Sequence, residues 1–305
     1  MADLQTIFCG TVFSNPLILP SGIIQEIPEH KRAIDAGVGG VTLKTLTPLP
    51  REGNPIPRVA RYDHGIINSV CFRNPGIEKG SILVKEFLRT SNIPVIVSLF
   101  AYDDKGYQFM AKKIAEIEPP LIEVNISCPN VAAEFGDPLG KNKQRAGEVT
   151  SIVKKETGKI PIIVKLAADA VGVAEIAHAC EEAGADAICA TNTIGPGMLI
   201  DIKARKPMLG NIFGGVGGPG IKPIAVKCIY DIYKAVKVPI IGMGGVATWQ
   251  DVVEMMMAGA SLVGIGSATY FKGMKIYNEI KEDLVKYMDK EGLKNLNEIV
   301  GIIHK

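Results

Sequence analysis

Short apolar runs alternate with amphipathic stretches from one end of the chain to the other. The apolar runs predict strands at Pro16–Pro20, Gly40–Thr45, Pro94–Leu99, Leu121–Asn125, Pro161–Leu166, Ala187–Thr191, Pro239–Gly242 and Leu262–Ile265. Between them, apolar positions recur at helical spacing over Glu29–Ala36, Lys79–Arg89, Gly106–Ile117, Lys143–Glu156, Val173–Ala183, Ile224–Ala235, Trp249–Met257 and Tyr270–Asp289. Strand then helix, eight times over, is the pattern of an α/β (β/α)8 TIM barrel. A doubly wound open sheet is the competing layout, weakened because no GxGxxG follows the first strand. Three connections exceed what a barrel needs: 46–75 after strand 2, 128–141 after strand 4 and 194–221 after strand 6. They leave the C-terminal ends of strands, where barrel enzymes keep their sites, so they read as active-site insertions without regular structure.

Composition narrows the class. A chain of 305 residues, 47% hydrophobic, suits one large barrel core. A net charge of +2, with Lys and Arg dispersed, gives no case for nucleic acid. The first twenty residues lack a basic segment followed by an apolar core, so no signal peptide is expected. No apolar run reaches the roughly 18 residues that span a bilayer, and no membrane association is expected. Six cysteines without a CxxC pair suggest neither a metal nor an iron–sulfur site in this chain, and a reducing cytoplasm is the expected location. The four histidines fall in helical patterns, an insertion or the tail, and no HExxH occurs, so Ser/His/Asp and zinc-protease chemistry are poorly supported.

The strand ends carry the chemistry. Strand 4 runs into Asn125-Ile126-Ser127-Cys128-Pro129-Asn130, where Pro129 ends any regular element. Cys128 is either an inert buried thiol or, as thiolate, a base or nucleophile. Strands 2 and 5 end in Lys44 and Lys165, each in an otherwise apolar run. A buried ammonium needs compensation. Glu123, inward like Asn125 but one layer deeper, offers a structural ion pair; an anionic ligand is the other reading. Asn68, Asn125, Asn130 and Asn192 suit a flat heterocycle with carbonyls and ring N–H groups, although asparagine also favours turns. After strands 7 and 8 come Gly242-Met243-Gly244-Gly245 and Gly264-Ile265-Gly266-Ser267, where barrels often hold a phosphate.

The sequence resembles the dihydroorotate dehydrogenases, flavoproteins of pyrimidine biosynthesis, over nearly its whole length. The motif at 125–130 carries the resemblance, with Leu19-Pro20-Ser21-Gly22, the GNPIPR of 53–58, Ile188–Thr193, the glycine-rich 206–225 and the PIIGMGGV of 239–246. The 206–225 stretch is similar to class 1B. The resemblance implies one FMN-binding barrel domain over 1–305 that oxidises dihydroorotate to orotate. FMN phosphate would meet Gly218, Gly244, Gly245, Gly266 and Ser267; the flavin ring would meet Ser21, Lys44, Thr45, Ser98, Asn125, Lys165 and Thr191. Substrate would be held by Lys44, Asn68, Asn125, Asn130, Asn192 and Thr193, with backbone from Ser69, Val70, Cys71 and Phe72. Cys128 would be the base, with Lys44 and Lys165 as the other catalytic groups.

It also implies a partner subunit carrying FAD and a [2Fe–2S] cluster that passes electrons to NAD, in a heterotetramer of two catalytic and two partner chains. The family usually has glycine where Cys71 stands, and Leu then Gln or Pro where Phe72 and Arg73 stand. That departure leaves open another dihydropyrimidine as substrate. A class 1A-like enzyme using a soluble acceptor such as fumarate, or a flavin-free phosphate-binding aldolase or isomerase, are the remaining alternatives.

Overall fold

The computed structural model describes residues 3–127, 140, 142–168 and 171–305. Eight parallel strands close into a barrel: β1 (Leu17–Leu19), β2 (Gly40–Thr42), β3 (Val95–Leu99), β4 (Leu121–Asn125), β5 (Ile162–Lys165), β6 (Ala187–Ala190), β7 (Ile240–Met243) and β8 (Leu262–Gly264). Each pairs with its neighbours in sequence and β8 returns to β1, the order of a (β/α)8 barrel. The helices are α1 (Lys31–Asp35), α2 (Gly76–Thr90), α3 (Asp104–Ala115), α4 (Lys143–Thr157), α5 (Val173–Glu182), α6 (Lys222–Ala235) and α7 (Trp249–Ala258). The last expected helix is two, α8 (Ala268–Lys272) and α9 (Ile276–Glu291). Gly273, at φ 73°, breaks it.

Alternation along the strands splits the core in two. Leu17, Leu19, Val41, Val95, Val97, Ile122 and Val124 point outward and pack with the helices. Ile18, Ile96, Leu121, Ile163, Ile241 and Leu262 point inward and form a separate cluster with Phe8 and Phe13. Those rings belong to a hairpin that periodicity did not predict, Thr6–Phe8 against Thr11–Phe13. Cys9 and Gly10 turn it with φ of 47° and 76°, the left-handed pair a two-residue hairpin needs. The rings meet edge to face at 6.2 Å, and a Cβ on Gly40 would lie 2.5 Å from Phe13 Cε1. Gly40 therefore leaves the space that one plugging ring fills. Burying a phenylalanine contributes about 1.5–3 kcal/mol, so the hairpin closes the lower end with apolar material. Polar side chains are left to the upper end.

The insertions are not structureless. Val59–Tyr62 and Gly65–Asn68, from 46–75, and Ile194–Gly197 and Gly214–Gly217, from 194–221, form one four-stranded antiparallel sheet. A short ribbon, Ile200–Asp201 with Lys206–Pro207, extends from it. The third insertion, 128–141, lies outside the described residues except Gly140.

His30, fully buried, packs edge-on against Phe87 and shares its Nδ1 with the carbonyls of Ile27 and Glu26 at 3.0 and 3.2 Å. Burial pushes its imidazole down to about 4, the backbone hydrogen bonds only partly offsetting it. The unfolded imidazole titrates near 6.5, so between these values the unfolded chain binds the extra proton. Stability is expected to fall by about 3 kcal/mol as pH drops from 6.5 towards 4. Urea unfolding at pH 7 and pH 4.5 measures the loss, and His30→Leu should flatten that part of the profile.

Candidate active site

The polar groups on the inner face of the barrel gather at its C-terminal mouth. Inward parity carries Ser98 on β3, Glu123 and Asn125 on β4 and Lys165 on β5. Register sets Ser98 beside Glu123 and Asn125 beside Lys165. All are buried, as are Thr45 and Lys44 beyond the end of β2. They sit under an open cleft that Lys44, Thr45, Asn125 and Lys165 line.

Ion pair and ligand, the two readings of the lysines, meet in one arrangement. Lys165 Nζ stands 3.7 Å from Glu123 Oε2 and donates to Ser21 Oγ at 3.1 Å, yet still lines the cleft. Lys44 lines it as well. Among the described residues at the mouth, two ammonium groups and one carboxylate are thus buried together.

Asn68 is placed by the inserted sheet: it pairs with Gly215 in the ladder, and its Nδ2 donates to the Gly215 carbonyl at 3.2 Å. Asn125 donates to Thr45 Oγ1 at 3.3 Å and accepts from Ser127 N and Oγ at 3.2 and 2.9 Å. Asn192 donates to Ser127 Oγ at 2.9 Å and accepts from Thr193 N at 2.7 Å. These asparagines, with Thr191 and Thr193, line the same wall of polar groups. Gly218, Gly244, Gly245, Gly266 and Ser267 also line the cleft, Gly244 and Gly245 in the turn after β7 and Gly266 and Ser267 in the one after β8. Gly244 and Gly245 have φ of 127° and 78°, and side chains there would come within 2.6 Å of Ala225 Cβ and 2.7 Å of Lys222 Cβ. Only glycine keeps this turn open at the cleft wall.

Asp251 Oδ2 accepts the amides of Ala247 and Thr248, both at 2.9 Å, just ahead of α7. Its Oδ1 takes Lys222 Nζ at 2.8 Å, and Glu254 takes the same ammonium at 2.6 Å. Asp251 thus ties the turn after β7 to the start of α6.

Ser98 and Ser69 do not reach the cleft surface. Ser98 lies one layer below, donating to Glu123 Oε1 at 2.7 Å; Ser69 is buried behind Val70 and accepts from Asn54 at 2.6 Å. Cys128 and Asn130 lie outside the described residues. Val70, Cys71 and Phe72 do line the cleft. Cys71 and Phe72 hold φ of 53° and 54°, so the backbone keeps a left-handed course suited to glycine although both residues carry a Cβ. Phe72 stacks on Phe100 at 4.1 Å, which holds the segment in place. Ile66, Ile221, Met243 and Tyr270 also line the cleft and had no signal beyond being apolar or aromatic near a motif. Burial pushes other thiols out of range: Cys9 up to about 12, Cys180 up to about 11 and Cys189 further still. Among the described residues, no group of three His, Cys, Asp or Glu could hold a metal ion, and no helix is long and apolar enough to cross a membrane.

Comparison with known proteins agrees with this geometry. The family model described as "Dihydroorotate dehydrogenase" matches residues 3–288. The chain is 39% identical over 304 residues to the "Dihydroorotate dehydrogenase B (NAD(+)), catalytic subunit" of Pyrococcus abyssi, covering 99% of both chains. It is 40% identical over 298 residues to the protein of that name from Pyrococcus furiosus, covering 97% of each. The one from Methanothermobacter thermautotrophicus is 36% identical over 302 residues, 99% of this chain and 98% of that one. Among solved structures, the crystal structure of DHODH in complex with ferulenol from Eimeria tenella superposes with a TM-score of 0.86 over 99% of this chain and 89% of the other. At 22% identity that likeness speaks for the fold.

Proposed function

The chain belongs to the dihydroorotate dehydrogenase family, and from that premise we propose that it is a catalytic subunit oxidising dihydroorotate to orotate in pyrimidine biosynthesis, with FMN as its cofactor. The observation that carries the reading is the polarity of the cleft. Two buried ammonium groups and three amides line one part of it, and glycine turns after β7 and β8 line the other. An elongated ligand with a phosphate at one end and a carbonyl-rich ring at the other fits that order. The residues present suit FMN: glycines at 244 and 245 pack the turn after β7 against the start of α6, where any Cβ would collide with Ala225 or Lys222, and leave bare backbone at the cleft wall. Ser267, Gly266 and Gly218 complete the phosphate end, and Ser21, Lys44, Thr45, Asn125, Lys165 and Thr191 would face the ring.

Oxidation removes a proton from C5 and a hydride from C6, leaving a double bond between them. Bound FMN supplies the hydride acceptor at its N5. Cys128, as thiolate, takes the C5 proton. Lys165 would stabilise negative charge developing on the bound ring, and Lys44 would pair with the substrate carboxylate. Asn68, Asn125, Asn130, Asn192 and Thr193 orient the substrate ring through its amide groups, with the backbone of 69–72 against it. Ser98 acts from beneath, through Glu123 and Thr45.

The relatives are named as catalytic subunits linked to NAD(+), which supports a further chain that takes the electrons onward. We assign that partner FAD and a [2Fe–2S] cluster, two copies of each chain per assembly and a cytoplasmic location. The left-handed Cys71 beside the substrate end favours one second reading, oxidation of a different dihydropyrimidine.

Turnover of the FMN-loaded protein with an artificial electron acceptor decides between the two. Dihydroorotate should be oxidised well, and dihydrouracil and dihydrothymine, which lack the carboxylate that Lys44 pairs with, at least tenfold less. The reverse order would remove dihydroorotate as substrate. NAD added to this chain alone should be reduced slowly; fast reduction would remove the need for a partner, and fast turnover with fumarate would point to a soluble acceptor instead.

A further inference from the structure

Glu123 enters the chemistry above only as the acceptor of Ser98, yet two serine hydroxyls and the Lys165 ammonium converge on its carboxylate. Its side chain is 2% exposed. Ser21 Oγ and Ser98 Oγ donate to its Oε1 at 2.9 and 2.7 Å, and the Lys165 ammonium stands 3.7 Å from its Oε2. An ionised carboxylate only accepts. The Ser98 proton is therefore committed to Glu123, and Thr45 Oγ1, 2.9 Å from Ser98 Oγ, must be the donor of that pair. Thr45 Oγ1 is then free to accept from Asn125 Nδ2 at 3.3 Å.

The far end of the chain agrees independently. The backbone amide of Ser127 donates to Asn125 Oδ1, and that of Thr193 to Asn192 Oδ1, at 3.2 and 2.7 Å. These contacts turn the Nδ2 of Asn125 towards Thr45 and that of Asn192 towards Ser127 Oγ, 2.9 Å away. Every donor from Asn192 through Ser127, Asn125, Thr45 and Ser98 thus points one way, and the sequence ends on Glu123. A second branch, Lys165 through Ser21, ends on the same oxygen.

We infer that Glu123 is a positioning residue for the dehydrogenation: a buried anion that holds the Lys165 ammonium, sets the donor direction of the asparagine wall and thereby sets the reduction equilibrium of the bound flavin. The inference rests on the functional reading above. Reduction places negative charge in the cleft, and Glu123 opposes it. Neutralising Glu123 removes one buried negative charge from beneath the cleft and makes reduction easier. In Glu123→Gln, with the amide oxygen kept under the two serines, the NH2 takes the place of Oε2 and faces the Lys165 ammonium, which loses its counter-charge.

The test is a redox titration of the FMN-loaded native protein, Glu123→Gln and Glu123→Asp against indicator dyes, with KM and kcat for dihydroorotate measured alongside. Glu123→Gln should shift the flavin's reduction equilibrium at least tenfold towards the reduced form, 29.6 mV for a two-electron couple, and raise KM. Glu123→Asp keeps the charge but cannot reach both serines; it should stay within tenfold of the native equilibrium while KM rises. A purely structural role would lower stability and leave the equilibrium where it was. An unshifted equilibrium in a fully loaded Glu123→Gln protein overturns the inference. Should that variant not load, a tenfold shift with unchanged KM in Glu123→Asp overturns it instead. Failure of the functional reading looks different: the native protein itself would take up no FMN.

Discussion

Replacing Cys128 by alanine is expected to leave a folded, flavin-loaded protein whose turnover at neutral pH falls by about 10²–10⁴-fold, the range a positioned general base contributes. The loss should fall on kcat, with KM for dihydroorotate little changed, because the base acts in the transition state rather than in binding. Ser127 is buried and bound through its amide to Asn125 Oδ1, and the Ile126 amide donates to the Lys165 carbonyl at 3.3 Å. The chain that leads to Cys128 is therefore held through Ile126 to β5 and through Ser127 to Asn125 at the end of β4. A free thiol titrates near 8.5, so the native rate should rise with pH through neutrality. Cys9, Cys180 and Cys189, held protonated by burial, cannot substitute for it. Steady-state kinetics of both proteins across pH 6 to 9 checks this; equal rates would remove Cys128 as the base.

Lys165→Met should have two separable effects. Turnover falls by about 10²–10³-fold, the cost of removing one group aimed at developing negative charge. Stability falls by about 3–5 kcal/mol, because Glu123 is left buried without its ammonium, and at 4% exposure of Lys165 solvent screens little of that cost. The double variant Lys165→Met, Glu123→Gln removes both charges, so it should regain most of the stability and none of the turnover. Denaturant unfolding and turnover, measured on the same preparations, separate the two. A single variant as stable as the native protein would mean that the pair is not coupled.

The barrel was legible because its signals are local. Strand 5 reads as an apolar run ending in Lys165, and counting by twos along strand 4 puts Glu123 and Asn125 on one face, which is where they lie. The two lysines announced themselves by being charged in apolar runs. The inserted sheet announced nothing. Ile194–Gly197 contains a proline and two glycines and Gly214–Gly217 three glycines, residues that weaken a strand signal. Gly214–Gly217 also pairs with Gly65–Asn68, far away in the sequence, and periodicity carries no information about distant pairing. Yet that sheet places Asn68, so part of the wall could be named but not located from sequence. Ser98 was assigned to the flavin from resemblance; its hydroxyl is spent on Glu123, a contact that residue type alone does not reveal.

The most direct test of the whole account is the visible absorption spectrum of the FMN-loaded protein, without air, as dihydroorotate is added. One equivalent should bleach the oxidised flavin band and yield one equivalent of orotate, with the native chain and no partner present. A folded protein that takes up no FMN, or a flavin that stays yellow under excess dihydroorotate, would contradict it.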